Sequence, residues 1–249
     1  MNRRRLITLV TLALAGACSD SIHLGEEAPA WSADFETGNT TQWTLDGNGQ
    51  QLSSSGGKLV LVGNPVHGGR WAMQTSISPT NNRPSFARLT RARVPQDAYF
   101  SLWAYIPARY TIDIYWNLFE FQGRTDPANP DSWSAMWSLN LHHESPGAGA
   151  GGDMLWYVYD RMRQRELKPS TPMAAPVGSW FEIRAFVHQA TDNTGRISFW
   201  IDGSPLVQAV DISTVPSPGM LWSIGSASSG ISKAPAEVFF DDAAIVLPP

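Results

Sequence analysis

Between Gly178 and Gly203 the chain reads GSWFEIRAFVHQATDNTGRISFWIDG, and apolar and polar positions alternate twice across one polar loop. Phe181, Ile183, Ala185 and Val187 share one phase, with Glu182, Arg184, Phe186 and His188 in the other. Ile197, Phe199 and Ile201 then alternate with Arg196, Ser198, Trp200 and Asp202. A period of two marks a strand with one face in a core, and the Asp, Asn and Gly between Gln189 and Gly195 suit a chain reversal. The segment predicts an antiparallel hairpin whose outer face carries charge and aromatic rings.

The alternation recurs along the chain. From Tyr99 to Ile106, Phe100, Leu102, Ala104 and Ile106 point one way and Tyr99, Ser101, Trp103 and Tyr105 the other. Met154, Trp156, Val158, Asp160 and Met162 oppose Tyr157, Tyr159, Arg161, Arg163 and Arg165, which predicts a strand whose outer face runs from two rings into three guanidiniums. Further strands are predicted at 58–62, 112–122, 133–143, 221–225 and 237–246. A straight strand over 112–122 sets Asn117 on the face opposite Glu120 and Gln122; over 133–143 it sets Asn140 and His142 together and His143 opposite. Residues 86–94, with Arg83, Arg88, Arg91 and Arg93 close by, read as an edge strand blunted by charge. Residues 206–218, punctuated by Pro, read as a connection. No stretch sustains a helical period. The expected class is all-β, two antiparallel sheets packed as a β-sandwich in one domain over residues 31–249.

The first residues do not belong to that fold. Arg3, Arg4 and Arg5 precede the apolar run 6–14, small residues follow, and Cys18 is the only cysteine. This is the order of a bacterial secretory signal, and the run is too short to span a bilayer. Leu14-Ala15-Gly16-Ala17-Cys18 resembles the cleavage motif of lipoprotein signals. The expectation is a signal peptide over 1–17, lipidation of Cys18 and a polar tether over 18–30. The place expected is the bacterial cell envelope, on the outer membrane by the Ser19 that follows, with membrane contact only through the anchor. Ala15 stands where the motif prefers Leu, so plain secretion is the alternative.

With its one cysteine lipidated or removed, the chain forms no disulfide, and core burial has to hold the fold. The formal charge of −4 becomes more negative once the three arginines leave, which argues against a nucleic-acid partner. The chain has no internal repeat, and a monomer is expected.

Rings beside guanidiniums suit an acidic polysaccharide, because guanidiniums take carboxylates in bidentate fashion and rings offer a flat apolar face to a sugar. The candidates for such a groove are Trp103, Tyr105, Asn140, Tyr157, Tyr159, Arg161, Arg184 and Trp200. The bland reading of the same positions is a solvated sheet face. The Gly-rich loop 145–152 suits either a flap over a bound chain or a long hairpin connection. Asp126 and Asp131 sit in a turn-rich loop and are read as turn residues rather than metal ligands. Other chemistries find little support. There is no Gly-x-Ser-x-Gly, His143-Glu144 lacks the second His of a zinc motif, and Asp113 and Glu120, seven apart, face opposite sides of a straight strand.

DFETGNTTQW at 34–43, GGRWAM at 68–73, GSWFEIRAFVHQ at 178–189, GRISFWIDG at 195–203 and VFFDDAAIV at 238–246 together resemble the concanavalin A-like lectin/glucanase superfamily of jelly rolls. Within it they are most similar to heparin-lyase-I-like polysaccharide lyases, glucuronan lyases included, over Asp34 to Val246. The resemblance implies a jelly roll with ligands on its concave sheet. It also implies cleavage beside a uronic acid, with a carboxylate neutraliser, a His or Tyr base and a Tyr acid. On this chain Gln122 in FEFQG falls where such a neutraliser is carried, His142 or His143 is the candidate base, and Tyr157 or Tyr159 the acid. The glucanase branch uses carboxylates at i, i+2 and i+4 on one strand, a pattern this chain lacks. A structural Ca2+ clipping Glu36 to Asp241 is a further implication, and no other cofactor is expected.

The departure lies at 221–230, LWSIGSASSG, which carries neither the Lys nor the Tyr of heparinase-type lyases. For that reason the sequence favours an extracytoplasmic carbohydrate-binding jelly roll that recognises a polysaccharide on its concave sheet. The first alternative is a lyase acting by β-elimination on a uronate polymer, and the second a structural or adhesive lipoprotein that binds protein.

Overall fold

A computed structural model describes residues 29–80, 83–129, 131–143 and 152–249. The signal segment, Cys18, the tether as far as residue 28, residues 145–151 of the Gly-rich loop and the side chain of His143 lie outside the described residues.

In chain order the strands are β1 (Trp31–Ala33), β2 (Gly49–Ser53), β3 (Gly57–Val62), β4 (Ala72–Ile77), β5 (Ser85–Arg91), β6 (Asp97–Tyr105), β7 (Thr111–Ile112), β8 (Trp116–Arg124) and β9 (Trp133–His143). They continue as β10 (Met154–Asp160), β11 (Arg165–Leu167), β12 (Trp180–His188), β13 (Gly195–Ile201), β14 (Ser204–Ile212), β15 (Met220–Ser228), β16 (Ile231–Ser232) and β17 (Ala236–Val246). One short helix, α1 (Thr41–Thr44), follows β1. An outer sheet runs β14-β13-β12-β6-β17-β4-β3, with β1 also on β17; a second runs β11-β10-β9-β8-β15-β5-β2. The architecture is the two-sheet antiparallel sandwich that the alternation predicts.

The alternation works because each sheet turns its apolar phase inward. Phe181, Ile183, Ala185 and Val187 of β12 are fully buried, and so are Phe100, Leu102 and Ala104 of β6. The sheets meet through rings: Phe100 lies edge-on to Phe121 of the second sheet with centroids 4.9 Å apart, and Phe119 meets Phe199 at 5.9 Å. Such edge-to-face contacts add to the burial of area that holds a chain lacking disulfides.

Four expectations need correction. Residues 204–212 form β14, the third strand of a meander with β12 and β13, so the Pro-containing stretch is partly sheet. Edge position explains how Pro205 is tolerated there. The strand expected to run into Arg165 ends at Asp160; Gln164 takes a left-handed conformation (φ 51°) and the chain returns as β11. The cause is Asp160 itself, fully buried, whose Oδ2 accepts from Arg163 Nη1 at 3.2 Å and Arg165 Nε at 3.1 Å, folding both arginines back on the strand end. β5 is not an edge strand, since β2 and β15 flank it. Finally, β8 carries a register shift between Asn117 and Phe119. A bulge there moves Asn117 to the same face as Glu120 and Gln122.

Candidate active site

The outward face of the second sheet holds a cleft of about 450 Å3, lined from Ile114, Tyr115 and Asn117 at one end to Trp133 and Arg161 at the other. Its floor is made of cross-strand neighbours. Asn117 of β8 faces Asn140 of β9, which faces Tyr157 of β10; one step along, Glu120 faces Ser138, which faces Tyr159. His142 lies edge-on to Tyr157 with ring centroids 5.1 Å apart.

Asn117, Asn140 and Tyr157 are each about 95% buried, so their polar atoms need partners. Asn117 Nδ2 donates to the carbonyls of Phe119 (3.2 Å) and Leu139 (3.3 Å) and to Asn140 Oδ1 (3.1 Å). Because those neighbours accept, the Asn117 nitrogen is the donor and the atom that Asn140 turns to it is oxygen. The amide N–H groups of Asn140 therefore face away from Asn117. Burial pushes the Tyr157 hydroxyl well above the usual tyrosine range, and the negative charge of Glu166 adds to this, against a smaller opposing effect of the Asn140 amide. Tyr157 thus holds its proton throughout the neutral range.

A second cluster lies beside this row. The Glu120 carboxylate, 3% exposed, takes Arg88 Nη1 and Gln122 Nε2, each at 2.5 Å; Gln122 Nε2 also donates to Ser223 Oγ at 3.2 Å. An ionised carboxylate only accepts, so the Gln122 nitrogen is committed inward. In that geometry the Gln122 amide nitrogen is turned to Glu120 and Ser223, while the Asn140 amide stands in the row with Tyr157. Ser223 stands within the 221–230 segment that lacks Lys and Tyr, and Arg88 brings a positive charge to the same floor from β5.

The structure brings together Gln122, Asn140, His142, Tyr157, Tyr159 and Arg161 of the residues singled out by sequence. It does not bring Trp103, Tyr105, Arg184 and Trp200 to them. Those four lie on β6, β12 and β13 of the other sheet, on its outward face. The single groove expected from sequence is therefore divided between two opposite walls, because alternation assigns a side chain to a face but not to a sheet. Trp103 stacks on His67 at 3.9 Å, Tyr105 packs on Trp180 at 5.6 Å, and Arg184 Nη2 pairs with Glu182 at 2.8 Å.

Glu36 and Asp241 converge on one loop, yet as acceptors of backbone N–H. Glu36 Oε1 takes Arg70 N (2.8 Å) and Trp71 N (2.9 Å), and Asp241 Oδ2 takes His67 N (3.0 Å) and Gly68 N (3.3 Å). Backbone N–H groups thus satisfy one oxygen of each carboxylate, and among the described residues no group of three or more His, Cys, Asp or Glu is placed to hold a metal. These amides by themselves clip both carboxylates to the loop 67–71. In the 123–131 loop, Asp126 Oδ1 accepts from Ala128 N at 2.9 Å, which is turn chemistry.

Asn117, Tyr115, Trp133 and Arg88 are cleft residues that the sequence reading placed elsewhere or passed over. The signal for Asn117 was absent, since a bulge leaves no mark in alternation.

No curated protein matches the chain. Among solved structures it is similar to an endo-beta-1,4-glucuronan lyase from the fungus Trichoderma reesei, at 14% identity and TM-score 0.63, over 89% of this chain and 96% of that one. It is also similar to an alginate lyase from Aplysia kurodai (13%, TM-score 0.57, 89% and 100% covered). A carbohydrate esterase from Shiga toxin-encoding bacteriophage phi24B matches too (12%, TM-score 0.56, 89% and 99%). At these identities the likeness shows the jelly-roll fold. The family model described as polysaccharide lyase matches residues 35–243. That match overturns the favoured expectation of a plain carbohydrate-binding protein and supports the lyase alternative named beside it. Spanning nearly all of the folded chain, it shows that this protein belongs to the polysaccharide lyase family.

Proposed function

We propose that the protein cleaves a uronate-containing polysaccharide by β-elimination in the cleft of the second sheet. The observation that carries the reading is the row Asn117, Asn140, Tyr157 and His142, in which a buried amide, a protonated phenol and an imidazole stand side by side. The uronate carboxylate is received by the Asn140 amide, whose N–H groups face away from Asn117, which lowers the cost of charge at C5. His142 takes the C5 proton, the C–H electron pair becomes the C4=C5 double bond, and the C4–O bond breaks. The leaving oxygen takes the Tyr157 proton, and solvent returns the tyrosinate and imidazolium to their starting states. Held protonated throughout the neutral range, Tyr157 carries a proton to give and is not a tyrosinate base.

Support comes from the family membership and from the geometry of these groups. The test is ultraviolet absorbance of the unsaturated uronate product on alginate, glucuronan, pectate and glycosaminoglycans. A rise on one polymer that disappears in Asn140→Ala and Tyr157→Phe is expected; no rise on any polymer overturns the reading. The amino-terminal pattern adds export to the cell envelope with a lipid on Cys18, to be checked by mass analysis of the mature amino terminus.

A further inference from the structure

We infer that the far end of the cleft, framed by Arg161, Tyr159 and Trp133, is a distal subsite for a second carboxylate of the same polymer, which makes turnover depend on chain length. The inference rests on the lyase reading of the cleft and adds to it a determinant of substrate size.

Most guanidiniums near the cleft are spent within the protein. Arg88 pairs with Glu120, and Arg163 and Arg165 share Asp160. Arg161 lines the cleft, is exposed, and has no carboxylate partner among the described residues. Its backbone is nonetheless fixed. Arg161 N donates to Met136 O at 3.0 Å, and its carbonyl accepts from Gln164 N at 3.3 Å and Gln164 Nε2 at 2.6 Å. Gln164 Oε1 in turn takes the Tyr159 hydroxyl at 3.0 Å, so one side chain braces both the turn and the ring. Glu166, which also lines the cleft, is held by Lys168 Nζ at 2.7 Å.

A free guanidinium on a fixed backbone is what bidentate recognition of a carboxylate uses. Trp133 supplies the ring: Arg124 covers it with its Cζ 4.9 Å from the centroid, and Trp133 lines the cleft. The spacing points away from the reacting sugar. Arg161 abuts Met136, four residues along β9 from Asn140, a distance of about 13 Å at the rise of a strand. A guanidinium rooted that far along the cleft from Asn140 is placed for another residue of the polymer. Binding energy gained away from the reacting bond then acts only on substrates long enough to collect it.

The experiment uses the full chain and size-fractionated oligouronates of the polymer it cleaves, reading kcat/KM from unsaturated product. Arg161→Ala is expected to lower kcat/KM about tenfold or more on long chains, as the loss of a charge-assisted pair does, and far less on the shortest chain cleaved. Arg161→Lys is expected to recover part of the loss. An equal fall at every length, or none, overturns the subsite. If the wild type cleaves no polymer, the lyase reading fails by itself and the subsite is judged by calorimetry with oligouronate and neutral cello-oligosaccharide. A loss of uronate affinity alone in Arg161→Ala then upholds it, and equal binding by both proteins overturns it.

Discussion

The guanidinium of Arg88, on β5, stands 2.5 Å from the carboxylate of Glu120, on β8, with the whole of β15 between the two strands. The reach is open because β15 presents small residues at the crossing: Ser223 is the cross-strand neighbour of Glu120, and Gly225 that of Arg88. The pair is mostly buried, with side-chain exposures of 21% and 3%. Glu120→Gln leaves Arg88 without its counter-charge. A loss of about 2 kcal/mol is expected by urea unfolding, below the range for fully buried pairs because Arg88 is partly solvated. The double variant Arg88→Met with Glu120→Leu is expected to recover much of it.

Gly225 enables that crossing by having no side chain. Its φ is +147°, and a Cβ there would lie 2.2 Å from the Ala87 carbonyl oxygen and 2.8 Å from Arg88 Cα. Gly225→Ala has to push β5 from β15, so a loss of more than about 1 kcal/mol is expected in the same assay. Lyase activity is expected to fall with it, since the strand that carries Arg88 moves.

Tyr157→Phe removes one hydroxyl and keeps the ring against His142. The expected result is a fall in kcat of about 100-fold or more, the scale of a lost general acid, with little change in oligosaccharide binding. Tyr159→Phe is the comparison, because the Tyr159 hydroxyl is tied to Gln164. A Tyr159→Phe loss as large as that of Tyr157→Phe contradicts the assignment of the acid.

Asp241 predicts a pH dependence of stability on the opposite side of the molecule. Burial pushes its carboxyl up to about 6, with the backbone N–H groups of His67 and Gly68 opposing and the negative charge of Asp242 adding to the rise. Between the ordinary carboxylate range near 4 and about 6, the folded protein holds a proton that the unfolded chain has released. Stability from this group is therefore full below about pH 4 and is lost as pH rises to about 6, by at most about 1.4 kcal/mol per pH unit. Unfolding midpoints of wild type and Asp241→Asn over pH 4 to 7 check it: the variant is expected to lack this downward slope.

Trp103 provides a negative test of the cleft's location. It lies on the outer sheet, stacked on His67, with the core between it and Tyr157. Trp103→Ala is expected to lower stability and leave kcat/KM on polymer within about twofold of wild type, measured well below the unfolding midpoint. A large selective loss of activity would move the site to the other sheet.

Alternation made the hairpin of β12 and β13 legible, and with it the buried phase of β6 and β12, because a half-buried strand repeats every two residues whatever its partners are. Motif order along Asp34 to Val246 pointed to the jelly roll and to polysaccharide lyases. The row of Asn140, His142, Tyr157 and Tyr159 was also within reach, since each sits in phase on its own strand.

Asn117 joins that row only through the bulge after it, and a single inserted residue reverses every side-chain direction beyond it. Arg88 meets Glu120 across 32 positions of chain and one intervening strand. Trp103 and Tyr157 share the same ring-rich pattern yet end on opposite walls. Local periodicity sets which side of a strand a residue occupies, a matter of backbone geometry within a few residues. Which sheet the strand joins, and what stands beside it there, follows from hydrogen-bond pairing and core packing between distant segments, and those contacts exist once the chain has folded.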